Sequence, residues 1–146
     1  MTAARLSVPP LRQPCDRVLL NLPEPTSTNA LTRNVSAAQR AIAERHGKRL
    51  PGRLKTEAYQ RWLNAAGWEL QSQRPGRIEG KYELTIAAQT PKDIGNLEKA
   101  CSDLLQEHGV VSNDSEARDI RIRWDESVPP RRILVTLKPW GGSHVG

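Results

Sequence analysis

The sequence predicts a single α/β domain of the α+β kind: a mixed sheet of about four strands with two main helices on one face. Three observations carry this. Apolar residues alternate at period two in four short stretches, and two longer stretches repeat at helical spacing with recognisable start signals. No internal repeat or long linker divides the 146 residues, a length that suits one compact domain near the common ~100–150.

The elements follow in order. Residues 1–16 are Pro-rich and aperiodic and read as a flexible or draped arm, leaving a domain over 17–140 and a disordered Gly-rich tail over 141–146. Arg17–Leu22 reads as a strand with Val18, Leu20 and Leu22 on one face. Pro23 and Pro25 end it. The stretch Ser36–His46 has the composition of a short helix, but Ala-rich and charged residues alone do not secure one in isolation. Lys55–Ser72 is a stronger helix: Tyr59, Trp62, Leu63, Ala66 and Leu70 form a stripe, and Thr56 stands at the N-cap. Gly67 costs about 1 kcal/mol there against Ala, which close packing on a sheet would explain. Ile78–Ala87 reads as a strand through Tyr82, Leu84 and Ile86. Thr90–His108 is the second main helix, with Thr90 as cap, Pro91 at its first position, Asp93 three residues after the cap and Gly109 as its stop. Ala117–Trp124 and Arg131–Lys138 alternate cleanly and read as a hairpin around Pro129-Pro130.

Charge narrows the function classes. The chain nets +6, and the segment 30–55 holds seven basic residues (Arg33, Arg40, Arg45, Lys48, Arg49, Arg53, Lys55) against Glu44. Such a segment favours a polyanion, nucleic acid before an anionic membrane, because no strong apolar face accompanies it. A solvated basic loop is the plainer alternative. Two cysteines, Cys15 and Cys101, make neither a disulfide framework nor a metal motif. His46, His108 and His144 lack any partner pattern. With no apolar run long enough for a membrane span or secretory signal, the chain is expected in the cytoplasm.

The stretch Asp93-Ile94-Gly95-Asn96-Leu97-Glu98-Lys99, with the later Asn113-Asp114, holds the chemistry. Asn96, Lys99 and Asp103 fall on one polar helical stripe. If Val110–Asp114 ran back extended from Gly109, Asp114 would return close to Asp93. Converging carboxylates suit a hard cation such as Mg²⁺, and a nearby lysine suits a phosphate; together they fit metal-assisted phosphodiester hydrolysis. Plainer roles compete: Asp93 as a capping carboxylate, Asp114 as a turn residue, Lys99 and Asp103 as a solvated pair. Spacing leaves both open.

Five motifs in order decide more. These are Pro25-x-x-x-Asn29, the basic segment, Leu54-Lys55-Thr56-x-x-Tyr59-x-x-Trp62, Asp93-Ile94-x-Asn96-Leu97-x-Lys99 and Val110-Val111-x-Asn113-Asp114, closed by the last two strands. From Val18 to Trp140 the chain resembles the RusA family of Holliday junction resolvases, encoded by bacteria and their prophages. The resemblance implies a homodimer that nicks four-way DNA junctions in pairs with Mg²⁺, or Mn²⁺, and no small-molecule cofactor. It implies catalytic roles for Asp93, Lys99 and Asp114, with Asp93 and Asp114 holding the metal. It also implies DNA contacts from Asn29, Arg33, Lys48, Arg49, Arg53, Lys55 and Asn96.

One departure matters. The family's Asp-x-Asp-Asn reads Asp93-Ile94-Gly95-Asn96 here, so a catalytic carboxylate is replaced by Gly95, and Asn113 stands where many relatives carry another aspartate. An impaired resolvase is therefore expected, the alternative being a non-catalytic binder of branched DNA. A generic basic nucleic-acid-binding protein would explain the charge but not the acidic motifs.

Overall fold

The computed structural model describes residues 12–25, 32–34, 36–47, 53–89 and 94–141. Strand β1 (Val18–Pro23) buries Val18, Leu20 and Leu22 as its alternation requires. A short ribbon follows, β2 (Thr32–Asn34) paired antiparallel with β3 (Arg53–Lys55), and helix α1 (Ala37–Arg45) lies between them in the chain. The helix left open by composition forms with a capping box: Ser36 Oγ accepts from the Gln39 amide, and the Gln39 side chain accepts from the Ser36 amide.

Helix α2 (Glu57–Ser72) starts at Thr56, whose hydroxyl accepts from the Tyr59 amide. It packs on β1 and buries Tyr59, Trp62, Leu63, Ala66, Gly67 and Leu70. Trp62 belongs to the core, its Nε1 donating to the Pro23 carbonyl at 3.0 Å, whereas Trp68 on the same helix is 80% exposed.

Strand β4 (Tyr82–Ala88), helix α3 (Ile94–Glu107), a 3-10 turn (Asp114–Glu116), β5 (Ala117–Trp124) and β6 (Arg132–Pro139) complete the layer. β4 begins later than its periodicity suggested. Ile78 is buried, but its amide donates to the Val110 carbonyl outside any ladder, and Gly80 turns the chain at φ +70 before the strand begins. The start signals Thr90, Pro91 and Asp93 lie outside the described residues, as do residues 1–11 of the arm and 142–146 of the tail. From Arg12 onward the arm is anchored: Arg12 donates to the carbonyls of His108 and Pro75 and to Gln71, and Cys15 and Gln13 exchange backbone bonds with Arg77.

The four-stranded sheet has the order β1-β6-β4-β5, with β4 and β5 parallel and the other neighbours antiparallel. The hairpin expected from the last two strands is therefore absent. β6 crosses over β4 and inserts between it and β1, burying Ile133, Val135 and Leu137 completely. Alternation reports that a stretch is a strand but not which strand it pairs with. Three arginines and an aspartate suit β5 to an edge, where charged side chains keep their water. The β4–α3–β5 unit sets its two strands parallel, as a helical crossover does.

Gly67 also serves a different neighbour from the one expected. A Cβ there would lie 2.7 Å from His108 Nε2, so the glycine admits the imidazole at the α2–α3 contact and not the sheet. The single core unites both main helices with β1, β4 and β6.

Candidate nucleic-acid interface and catalytic face

The basic segment becomes a structural unit. Register places Arg33 opposite Leu54, Asn34 opposite Arg53 and Thr32 opposite Lys55, so three of the expected DNA-contacting residues share one two-stranded ribbon. Lys48, Arg49 and Asn29 lie outside the described residues. Lys55 is exposed, and its Nζ stands 5.9 Å from the centroid of the Tyr59 ring, within cation–π range.

Tyr59 connects that ribbon to α3. Its hydroxyl donates to Asp103 Oδ2 at 2.5 Å, and the same carboxylate oxygen lies 3.8 Å from Lys99 Nζ. Burial, followed by this bond and the charge of Asp103, pushes the Tyr59 phenol far above its ordinary pKa, so it stays a donor. Asp103 thus has a partner on α2 besides Lys99. A line of contacts runs Lys55, Tyr59, Asp103, Lys99. Sequence reasoning placed Tyr59 on the apolar stripe of α2 without a partner for its hydroxyl; the signal available was its amphipathic nature, a ring that buries and a tip that must find a partner.

Asn96 is half-buried and Gly95 falls within the first turn of α3. Beside Lys99 on α3, the Ser102 hydroxyl donates to Glu98 at 2.6 Å. The extended return drawn for Val110–Asp114 is not formed. The Val110 and Val111 amides fold back onto the Leu105 carbonyl, and the Asp114 amide donates to Gln106 Oε1 in the last turn of α3. α3 is about 20 Å long at 1.5 Å per residue, so Asp114 is held near the end opposite Ile94. Asp93, whose convergence with Asp114 was expected, lies outside the described residues.

Asn113 acts as a cap, its Oδ1 accepting from the Ser115 amide. The Asp114 side chain is exposed and makes no hydrogen bond with another described residue. Nearby, Tyr82 is fully buried, and its hydroxyl finds no partner among the described residues. Burial first, then the charges of Asp114, Glu98 and Glu116, push its phenol up to about 12. Asp114, Glu98 and Glu116 thus all act on the Tyr82 phenol. Among the described residues, however, no three His, Cys, Asp or Glu side chains are grouped tightly enough to hold a metal ion. Asp114 can offer oxygen ligands to Mg²⁺; Gly95 offers none, and water would have to fill further positions.

Cys101 is fully buried and its thiol is pushed well above the ordinary value, first by burial and then by Glu98, which fits a core side chain and not a nucleophile. Among the described residues no helix is long and apolar enough to cross a membrane.

Comparison with known proteins adds one match. The family model described as endodeoxyribonuclease RusA matches residues 32–138, from β2 through nearly all of β6. No curated protein matches the chain.

Proposed function

Because the chain belongs to the RusA endodeoxyribonuclease family, we propose that it is a homodimeric Holliday junction resolvase that nicks four-way DNA with Mg²⁺ or Mn²⁺, weakened by Gly95. The observation that carries this is the family match across the basic ribbon, α3 and the Asp114 turn, the segments that also hold the charge and the carboxylates. Localisation in the cytoplasm, where DNA is met, goes with this reading.

The roles follow from chemistry. Arg33, Lys48, Arg49, Arg53 and Lys55 grip phosphates without reading bases, and Asn29 and Asn96 add neutral donors. Lys99, held by Asp103, presents a positive charge to the scissile phosphate and offsets the charge that builds there as water attacks phosphorus. Tyr59 fixes the other side of Asp103, so Lys99 is presented from a braced carboxylate. Because Asp114 is held near the end of α3 away from Ile94, Asp93 and Asp114 would reach one cation only from different protomers of the dimer; when bound, the cation supplies Lewis acidity and lowers the pKa of a water. A two-fold dimer matches the two-fold arrangement of a junction, one site per strand.

A non-catalytic binder of branched DNA is the second reading, and the missing carboxylate at position 95 favours it. Incubating a labelled four-way junction and a linear duplex of the same sequence with the chain, with and without Mg²⁺, separates the readings. Paired nicks in the junction alone, dependent on Mg²⁺, support the resolvase. Tight junction binding without nicking supports the binder. Equal affinity for both DNAs would overturn both.

A further inference from the structure

Between α2 and α3 lies a groove of about 420 Å³, lined in part by Leu63, Gly67, Trp68, Gln71 and His108. Leu63 and Gly67 are buried members of the α2 stripe, but Trp68 beside them is 80% exposed. An indole carries one of the largest apolar surfaces of any side chain, with a single donor at its edge. A ring so placed, over an apolar groove with polar rims, suits an occupant that is itself apolar.

The chain itself arrives at this groove. Arg12, the first described residue, donates to the His108 carbonyl at 2.7 Å, to Gln71 Oε1 at 2.8 Å and to the Pro75 carbonyl at 3.2 Å. Gln71 and His108 both line the groove, so these bonds fix where residues 1–11 join the fold.

We propose that residues 8–11, Val8-Pro9-Pro10-Leu11, occupy the groove of their own chain, with a proline ring stacked on the Trp68 indole. Composition, reach and tether all favour this occupant. Residues 6–11 hold no charged side chain, in a chain of which 26% is charged. Adjacent prolines favour polyproline II, so they lose little freedom on docking and bring no N–H that a groove would leave unsatisfied. Proline-rich segments are recognised in aromatic-lined grooves for this reason. Asn64, which also lines the groove, can donate to a carbonyl between the rings. From Gln71 back to Asn64 the helix runs roughly 10 Å at 1.5 Å per residue, and four residues of polyproline II span roughly 12 Å. Only two residues lie between Pro9 and Arg12, so the prolines stay beside their own groove.

Docking would latch α2 to α3 near their C-terminal ends, where Gly67 already admits the His108 ring. Residues 1–31 precede the stretch that matches the family model, so the latch is an addition to the matched fold. It rests on neither the nuclease nor the homodimer reading.

The test is the accessibility of Trp68 in the intact chain and in the double variant Pro9→Asp/Pro10→Asp. It is read as the loss of the indole N–H signal in NMR spectra to a soluble gadolinium chelate. Trp68→Phe assigns the signal, and circular dichroism checks folding. Trp68 is expected to be shielded in the intact chain and to lose that shielding in the double variant. A Trp68 attacked equally in both proteins overturns the proposal, whether it is open or shielded. Shielding that survives the substitutions and fades on dilution would place a second copy in the groove instead. The arm supplies the converse reading. Chymotryptic cleavage at Leu6 or Leu11 is expected to be roughly fivefold faster in Trp68→Ala than in the intact chain, as the open population rises. Equal cleavage rates would also overturn the proposal.

Discussion

Asp103 takes partners from two helices, and the stability of that arrangement is measurable. Tyr59→Phe removes the hydroxyl and leaves the ring, so it isolates the bond to Asp103. A hydrogen bond to a charged group contributes roughly 1.5–3 kcal/mol, less where water reaches it, and a loss of about 1–2 kcal/mol in urea unfolding is expected. If junction cleavage is measured as well, the rate constant should fall more than the affinity, because Lys99 loses its brace while the phosphate-gripping ribbon stays. Both tyrosines also titrate abnormally. Tyr59 and Tyr82 are raised above the value of 10 that they have when exposed. A raised folded pKa contributes stability that is complete below the unfolded pKa and is lost as pH climbs through the folded one. For Tyr82 that window is about pH 10 to 12. Ultraviolet absorbance should show almost no tyrosinate at pH 10 in the native protein and about half in denaturant; half ionisation at pH 10 in both would contradict the burial. The tyrosine at 59 was legible as a stripe residue, but its bond to Asp103 was not, since that contact spans 44 positions and depends on how α2 and α3 cross.

At the scale of elements, the α2–α3 contact depends on one missing methyl group. Gly67→Ala would improve helix propensity by about 1 kcal/mol, yet its Cβ would meet His108 Nε2 at 2.7 Å. The ring cannot retreat freely, because its Nδ1 side is engaged by Gln71 at 3.1 Å. Overpacking typically costs 1–3 kcal/mol, so a net loss of about 1 kcal/mol is expected, recovered when His108→Ala is added. Chemical denaturation of the two variants decides this, and a stabilised Gly67→Ala would refute the packing argument. β1, α2 and α3 were legible because their periodicity, caps and breakers are local. The pairing of β5 and β6 was not: Asp125–Arg131 reads as a hairpin loop when only neighbours in sequence are considered. In the fold it crosses β4, with its turn held by Asp125 accepting from the Ser127 amide and hydroxyl. The helical crossover between β4 and β5 was the better clue to their pairing. The candidate site followed the same division. Lys99 and Asp103 share a stripe that spacing alone gives, whereas the turn of Val110–Asp114 onto Leu105 and Gln106 is set by tertiary bonds.

For the whole molecule, the net charge of +6 is concentrated in the ribbon and its α1 excursion, while the carboxylates gather around α3 and the Asp114 turn. That division suits a protein that grips backbone phosphates at one place and handles a phosphodiester at another. Replacing Lys48 and Arg53 together by Ala should weaken binding to junctions of any sequence alike. It should also reduce the slope of log affinity against log salt by roughly 2; an unchanged slope would move the phosphate contacts elsewhere. The decisive measurement is cleavage of a labelled four-way junction in Mg²⁺ or Mn²⁺ by the chain and by its Gly95→Asp variant. The expected result is slow or absent nicking by the chain, and paired, metal-dependent nicking at least tenfold faster by the variant. Failure of both proteins to nick the junction in either metal, or nicking that persists when divalent ions are chelated, would contradict a resolvase short of one carboxylate.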